Sequence, residues 1–306
     1  MKYILNTVKV LAFLLVFSAT AQQAPNYALY KYNLNIINPA YAGSNGFSQL
    51  SLNMRSQWVG VQDAPETQTI NYNGMLTEKV GFGMNVQRDN VFITNEYNVY
   101  ADFSYKLDVA DGMELFLGLK AGGTFLDIEF EKLGNATDPL LNTNVSEFNP
   151  NFGAGAYLKG EKFFVTLSTP KILQTDRYDE DGANSTASDE MHIYAGGGYT
   201  FDVSDNVMIT PSVMGRYVGG SPFSVDISAT ARFMDRFEVG ANYRLDDSVA
   251  GIAYFDIADW VGLGYAYERN ISDVSDFNDG SHGIMVRFNM NGGGDDEEMM
   301  EESTDE

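Results

Sequence analysis

Apolar and polar residues alternate along most of this sequence, which limits the chain to a fold built from β-strands. A period of two places successive side chains on opposite faces of an extended strand. Residues 223–233 are one example, in which one face carries Phe223, Val225, Ile227, Ala229, Ala231 and Phe233. About fourteen such segments of roughly 9 to 15 residues follow one another, long enough for strands that cross a membrane at a tilt.

The joins between these segments alternate in length. Short turns are predicted at residues 77–79, 111–112, 160–161, 204–206, 235–236 and 258–259. Joins that are often longer fall between them, at residues 60–66, 131–148, 170–189, 219–222 and 270–280. Outer-membrane barrels have short periplasmic turns and longer extracellular loops. The sequence therefore predicts an all-β fold, a transmembrane antiparallel up-and-down β-barrel of about 14 strands with both termini in the periplasm. A soluble β-sandwich or a solenoid is the less favoured alternative.

The two ends of the chain differ from this pattern. Residues 1–21 contain two lysines, a short apolar run and the sequence Ala-Thr-Ala, which is typical of a secretory signal peptide and less so of a buried helix. We expect an N-terminal periplasmic segment at residues 22–45 and the barrel at residues 46–290. Residues 291–306 form a strongly acidic tail, predicted to be disordered, with contact to a basic partner as the alternative. The expected location is the outer membrane, in contact with outer-membrane lipid.

The alternation also assigns side chains to the two faces of the barrel. Leu50, Leu52, Met54 and Trp58 are predicted to face lipid, with Trp58 and Trp260 at the membrane interfaces. The charged residues predicted to point into the lumen include Arg55, Asp102, Lys106, Glu114, Lys120, Asp226, Arg232, Glu238, Arg244, Asp256 and Arg287. Their mixed signs predict ion pairs across the lumen and an occluded interior. The alternative is that these charges merely line water.

The sequence offers few groups for chemistry. A net charge of −23 argues against nucleic acid as a partner, and the absence of cysteine excludes thiolate sites. His192 and His282 have no partner at metal-ligand spacing, and no serine-nucleophile motif is present. The acidic residues 179–181 (Asp-Glu-Asp) leave two alternatives, a calcium site or a solvated loop. We expect no enzymatic activity, no cofactor and no metal.

Two stretches near the start of the barrel carry a family resemblance. The stretch "YALYKYNLNIINPAYAGSNG" is followed by "RSQWVGVQDAPETQTINYNG", and the chain's last predicted strand is "SHGIMVRFNM". Together they resemble the PorP/SprF family of type IX secretion system membrane proteins. The motif residues that carry the resemblance are Asn38, Pro39, Ala40, Tyr41, Gly43, Gln57, Trp58, Gly60 and Pro65.

The resemblance implies an outer-membrane component of the type IX export machinery. Such a protein would assist secretion or cell-surface attachment of an exported protein, such as a large gliding adhesin, or dock the periplasmic machinery. The motif residues then become candidates for docking. From its turn-forming residues we expect the segment at 22–45 to lie, ordered, in or across the periplasmic mouth, the alternative being a floppy leader. A porin-like channel for small solutes is the alternative function.

Overall fold

The computed structural model describes residues 30–133, 144–174, 179–180, 183–184, 190–271, 275 and 278–290. The predicted signal peptide and acidic tail lie outside these ranges. The described residues form seventeen strand segments, β1 (Gln49–Ser56), β2 (Glu66–Met75), β3 (Val80–Val91), β4 (Thr94–Ala110), β5 (Met113–Ile128), β6 (Val145–Lys159), β7 (Phe163–Thr169), β8 (Asp179–Glu180), β9 (Ala183–Asn184), β10 (His192–Tyr199), β11 (Phe201–Ser204), β12 (Val207–Val218), β13 (Ser224–Phe233), β14 (Phe237–Arg244), β15 (Ser248–Ala258), β16 (Val261–Asn270) and β17 (Ser281–Asn289). Four short 3-10 helices accompany them, η1 (Tyr30–Tyr32), η2 (Leu34–Ile36), η3 (Pro39–Tyr41) and η4 (Phe130–Leu133). No helix within the described ranges is long and apolar enough to cross a membrane.

The strands close into one barrel. Each barrel strand pairs antiparallel with its sequence neighbour, and β1 pairs with β17 from Gln49 opposite Asn289 to Ser56 opposite His282. Segments β10 and β11 both pair with β12 and form a single strand interrupted at Thr200, while β8 and β9 form a separate hairpin. The barrel therefore has 14 strands, and the predicted fold class is confirmed. Closure joins the first strand to the last, so the barrel does not present the two free edges that an open sheet would leave in an apolar surround.

The two ends of the barrel differ in their connections. At one end, which we call the short-turn end, six turns of two to four residues join the strands, and the chain enters β1 and leaves β17 there. At the opposite, long-loop end most joins are longer, although residues 92–93 and 245–247 form short connections. The predicted join at 131–148 is shorter than expected, because β6 begins at Val145 and continues the ladder with β5.

The outward face of the barrel is apolar and the inward face is polar. Outward side chains such as Leu119, Ile70 and Phe152 are more than half exposed, while inward ones such as Asn71 and Thr166 are buried. Trp260 is 60% exposed and stacks on Phe288 at the short-turn end, as expected for an interfacial aromatic residue. Trp58 differs from the prediction: it is half-buried and lies in the β1–β2 loop with a φ of 50°.

Candidate functional site

Residues 30–46, which we call the plug, lie inside the barrel in its short-turn half. The plug comprises η1, η2 and η3 and turns back on itself before β1. Its sequence explains this shape, because the Asn38 side chain accepts a hydrogen bond from the Ala40 backbone N–H at 2.9 Å and Pro39 occupies the first helical position. Gly43 and Gly46 have positive φ values of 75° and 80°, which glycine adopts without steric cost.

Asn38 fixes the centre of the plug to the wall. Its Nδ2 donates to the Ala156 carbonyl at 3.0 Å and to the Thr166 hydroxyl at 2.7 Å, and the side chain is fully buried. Each hydrogen-bonding atom of the amide therefore has a partner, on the plug or on β6 and β7. Buried amides that lose such partners cost about 1–3 kcal/mol. Asn38 was predicted as a motif residue, and its partners on the wall were not.

Three inward glycines of the wall make room for the plug. A Cβ on Gly81 would lie 2.1 Å from the Ala42 carbonyl oxygen, and a Cβ on Gly118 would lie 2.1 Å from the Ala40 nitrogen. A Cβ on Gly155 would lie 2.0 Å from the Asn38 Oδ1. These separations are far below van der Waals contact. Residues 38–42 therefore fit a recess that exists only because β3, β5 and β6 carry glycine at these positions.

The middle of the plug also packs against an apolar patch of the wall. Its buried apolar residues are Leu34, Ile37, Ala40 and Tyr41, and the wall contributes Phe116, Tyr157, Tyr194 and Met214. The Tyr41 and Tyr157 rings meet edge to face at 5.3 Å. Burial raises the pKa of the Tyr41 hydroxyl. This contact removes apolar surface from water on both partners and stabilises the plug inside the barrel.

The first residues of the plug are held by charge. Lys31 Nζ lies 2.5 Å from the buried Glu238 carboxylate, which also accepts from the Tyr32 hydroxyl at 2.8 Å. The Tyr32 ring stacks on Tyr254 at 4.9 Å, and the Arg287 guanidinium lies 5.2 Å from the same ring. Burial lowers the pKa of the Lys31 ammonium, and Glu238 opposes part of that shift. The wall residues that hold this part of the plug, Glu238, Tyr254 and Arg287, lie on β14, β15 and β17, away from the glycine recess.

The wall also binds the main chain of the plug. Lys120 Nζ donates to the carbonyl oxygens of Asn35 and Ile36 at 3.3 and 3.2 Å. Further contacts join Asn85 to the Asn35 carbonyl, Ser104 to the Ala42 carbonyl, Asn73 to the Gly43 N–H and Lys159 to the Ser44 carbonyl, at 2.5 to 3.3 Å. The plug is therefore bonded around much of the inner circumference.

All eleven predicted lumen charges lie on the inward face, but their ion pairs differ from the expectation. The pairs join adjacent strands or strands separated by one other, as in Asp102–Lys120 at 3.1 Å and Arg55–Glu268 at 3.1 Å. The same holds for Asp226–Arg244, Arg232–Asp256 and Lys106–Glu114. The prediction of ion pairs across the lumen is therefore wrong for these residues, because the charges in these pairs meet an opposite charge on a nearby strand of the same wall. In the short-turn half the plug also lies between the walls, and its Lys31 reaches Glu238.

The motif residues do not form one site. Asn38, Pro39, Ala40, Tyr41 and Gly43 lie in the plug, whereas Gln57, Trp58, Gly60 and Pro65 lie in the β1–β2 loop at the long-loop end. There the Gln57 N–H donates to the Pro65 carbonyl at 2.9 Å, and the loop exchanges backbone hydrogen bonds with the β16–β17 loop. Gly60 has a φ of 92°. This second group shapes a loop far from the plug.

A pocket remains beside the plug at the short-turn end. It has a volume of about 500 Å³, and its lining includes Gly43, Ser44, Lys106, Glu114, Phe116 and Lys159. Among the residues that the structure describes, no three histidine or acidic side chains come close enough to hold a metal ion. Part of the acidic loop, for which a calcium site and a solvated loop were the two alternatives, lies outside the described ranges, including Asp181.

One solved structure shares this architecture. The CymD monoaromatic hydrocarbon channel is 12% identical and matches 83% of this chain and 92% of its own with a TM-score of 0.50, a likeness of fold. The Acinetobacter baumannii outer membrane protein Omp33 is 10% identical and matches 80% and 98% with a TM-score of 0.49. No curated protein matches the sequence.

One family model shows which family the chain belongs to. The model of the type IX secretion system membrane protein PorP/SprF matches residues 19–288, which include the plug and the barrel. The family and the fold place the protein in the outer membrane, and they point to a component that is not an enzyme. The predicted resemblance and the predicted location are confirmed. The chain belongs to the PorP/SprF family of type IX secretion system membrane proteins.

Proposed function

We propose that this barrel assists the secretion or cell-surface attachment of one exported protein, such as a large gliding adhesin, and that it does so as a closed barrel. The plug is the observation that carries the proposal. It is anchored to the wall by Asn38, by the glycine recess and by Lys31, and these contacts surround it on several sides. A diffusion channel needs an open aqueous path, so the plug favours this role over a porin-like channel.

The orientation follows as part of the proposal. Short turns are typical of the periplasmic side of outer-membrane barrels, so the short-turn end, with both termini, would face the periplasm. The pocket beside Gly43 and Ser44 would then be available to periplasmic components of the machinery. The joins at residues 131–148 and 170–189 would face outward and contact the exported partner. Residues 1–21 would direct export and be removed, and residues 291–306 would extend into the periplasm.

Removing the gene tests the proposed role. We expect quantitative proteomics of the cell surface and the medium to show the loss of one or a few large exported proteins from the surface. Complementation with the full-length gene should restore them. A general collapse of export would instead identify a core machine component. An unchanged surface proteome with slower uptake of a small solute would contradict the proposal and favour the porin-like channel.

A further inference from the structure

We infer that the inner wall beneath residues 31–36 is a binding site for a polypeptide segment, and that residues 31–36, which form most of η1 and all of η2, occupy it as an exchangeable internal ligand. The external ligand would be a segment of the exported partner, so that part of the inference rests on the proposed function. Three observations carry it: how the wall contacts this stretch, which wall groups are left without a partner, and how this stretch is anchored.

The wall contacts the main chain of this stretch as well as its side chains, among which Asn33 Nδ2 donates to Asn53 Oδ1 at 2.7 Å. Lys120 and Asn85 donate to the Asn35 carbonyl, and Lys120 also donates to the Ile36 carbonyl. Arg287 donates to the Tyr32 carbonyl at 3.4 Å. Carbonyl oxygens are common to every polypeptide. The same donors can therefore bind another segment whose carbonyl oxygens reach these positions.

Polar atoms without a partner lie on both sides of this contact. On the plug, Asn33 Oδ1 and Asn35 Nδ2 are buried with no partner among the described residues. The neighbouring wall carries more of them. Both side-chain polar atoms of Asn71 are buried with no partner among the described residues, and so are Thr69 Oγ1, Asn53 Nδ2 and Asn85 Oδ1. The strand register places Asn53 opposite Thr69 and Asn71 opposite Asn85, so these groups form one patch on β1, β2 and β3. Buried polar atoms are nearly always paired in folded proteins.

The chemistry of this patch matches a peptide. A primary amide offers donors and an acceptor, as a peptide group does, and the unpartnered atoms of the patch carry no formal charge. Because the patch mixes neutral donors and acceptors, it favours a neutral, two-sided group such as a peptide over an ion. A segment whose polar groups are placed differently from those of residues 31–36 could pair with them.

The two parts of the plug are held differently. Residues 38–42 fit the glycine recess, whose shape accepts little else. Residues 31 and 32 both bond to one buried carboxylate, Glu238, whose side chain is 2% exposed. A segment that displaces them without supplying a cation leaves Glu238 with only Arg232, at 3.7 Å, and an under-paired buried carboxylate is costly. The ligand class is therefore a segment with lysine or arginine followed by an aromatic residue, which would stack on Tyr254.

A photo-crosslinking experiment tests the site directly. The full chain is purified with a photoreactive benzophenone residue in place of Asn71, or in place of the outward-facing Ile70 as the matched control. The probe is a biotinylated peptide with the sequence of residues 30–36, YKYNLNI. A second probe, YEYNLNI, differs only in carrying glutamate where Lys31 would lie. Both probes are also applied to a Lys31→Ala background, in which the internal segment is more easily displaced.

We expect the lysine probe to crosslink to the residue at position 71, and more strongly in the Lys31→Ala background. We expect no crosslink for the glutamate probe, and none for either probe at position 70. Absence of crosslinking in both backgrounds would overturn the inference. The unpartnered atoms would then be assigned to hydrogen bonds with buried water. Equal crosslinking of both probes would also overturn it. The surface proteome of the deletion strain is measured independently, so failure of the wall site and failure of the secretion role are distinguishable.

Discussion

Gly118→Leu is expected to expel residues 38–42 from the wall while leaving the barrel closed. A Cβ at this position would lie 2.1 Å from the Ala40 nitrogen and 2.4 Å from the Pro39 carbonyl carbon, and both atoms are backbone. Strand β5 is hydrogen-bonded on both sides, to β4 and β6, so the wall cannot retreat. Overpacking of this kind costs about 1–3 kcal/mol or more, and the plug is the part that can move.

Thiol labelling measures this displacement, since the chain has no natural cysteine. Thr166→Cys places a thiol at the buried partner of Asn38. We expect a hydrophilic maleimide to label it up to about a hundredfold faster with Gly118→Leu, since each 1.4 kcal/mol is a factor of ten. Gly251→Leu is the control, because a Cβ there meets nothing within 4 Å. Equal labelling rates in the two variants would contradict the claim that Gly118 makes room for residues 38–42.

Glu238→Leu is expected to release the first residues of the plug. It leaves the Lys31 ammonium without its partner at 2.5 Å, while Arg232 keeps Asp256 at 2.6 Å. Breaking one side of a buried ion pair costs 3–5 kcal/mol in typical cases, and we expect roughly 3 because the Lys31 side chain is 35% exposed. Residues 31–36 should then spend far more time away from the wall.

Trypsin reports this release, because it cleaves after an accessible Lys31. Cleavage, followed by mass spectrometry of the N-terminal fragment, should be about a hundredfold faster in Glu238→Leu, in line with the loss of roughly 3 kcal/mol. The control is Asp202→Asn, which breaks the Lys162–Asp202 pair at 2.6 Å whose side chains are 50% and 51% exposed. Such surface pairs contribute little. An unchanged rate in Glu238→Leu would mean that Glu238 does not hold the plug.

The barrel was predictable because its pattern is local. Alternation assigns a face to each residue without knowledge of its partner, so Asp102 and Glu238 could be placed in the lumen from sequence alone. The short turns could also be located from their turn-forming residues. The connections at residues 92–93 and 245–247 were not predicted, because they interrupt the alternation by only two or three residues.

The contacts that hold the plug could not be predicted from the sequence pattern, because they join distant parts of the chain. Lys31 and Glu238 are 207 positions apart, and nothing near either residue indicates the other. One feature of the sequence does indicate the recess. Gly118 lies on the inward face of β5 between Phe116 and Lys120, and a glycine in such a row indicates that another backbone approaches closely.

The conductance of the full chain in planar lipid bilayers tests the central claim, that this member of the family is a closed barrel, most directly. The same measurement on a chain lacking residues 22–46 provides the comparison. We predict no steady conductance for the full chain and a steady, larger conductance once the plug is removed. Large, steady single-channel conductance from the intact chain would contradict the account and make the protein a diffusion channel.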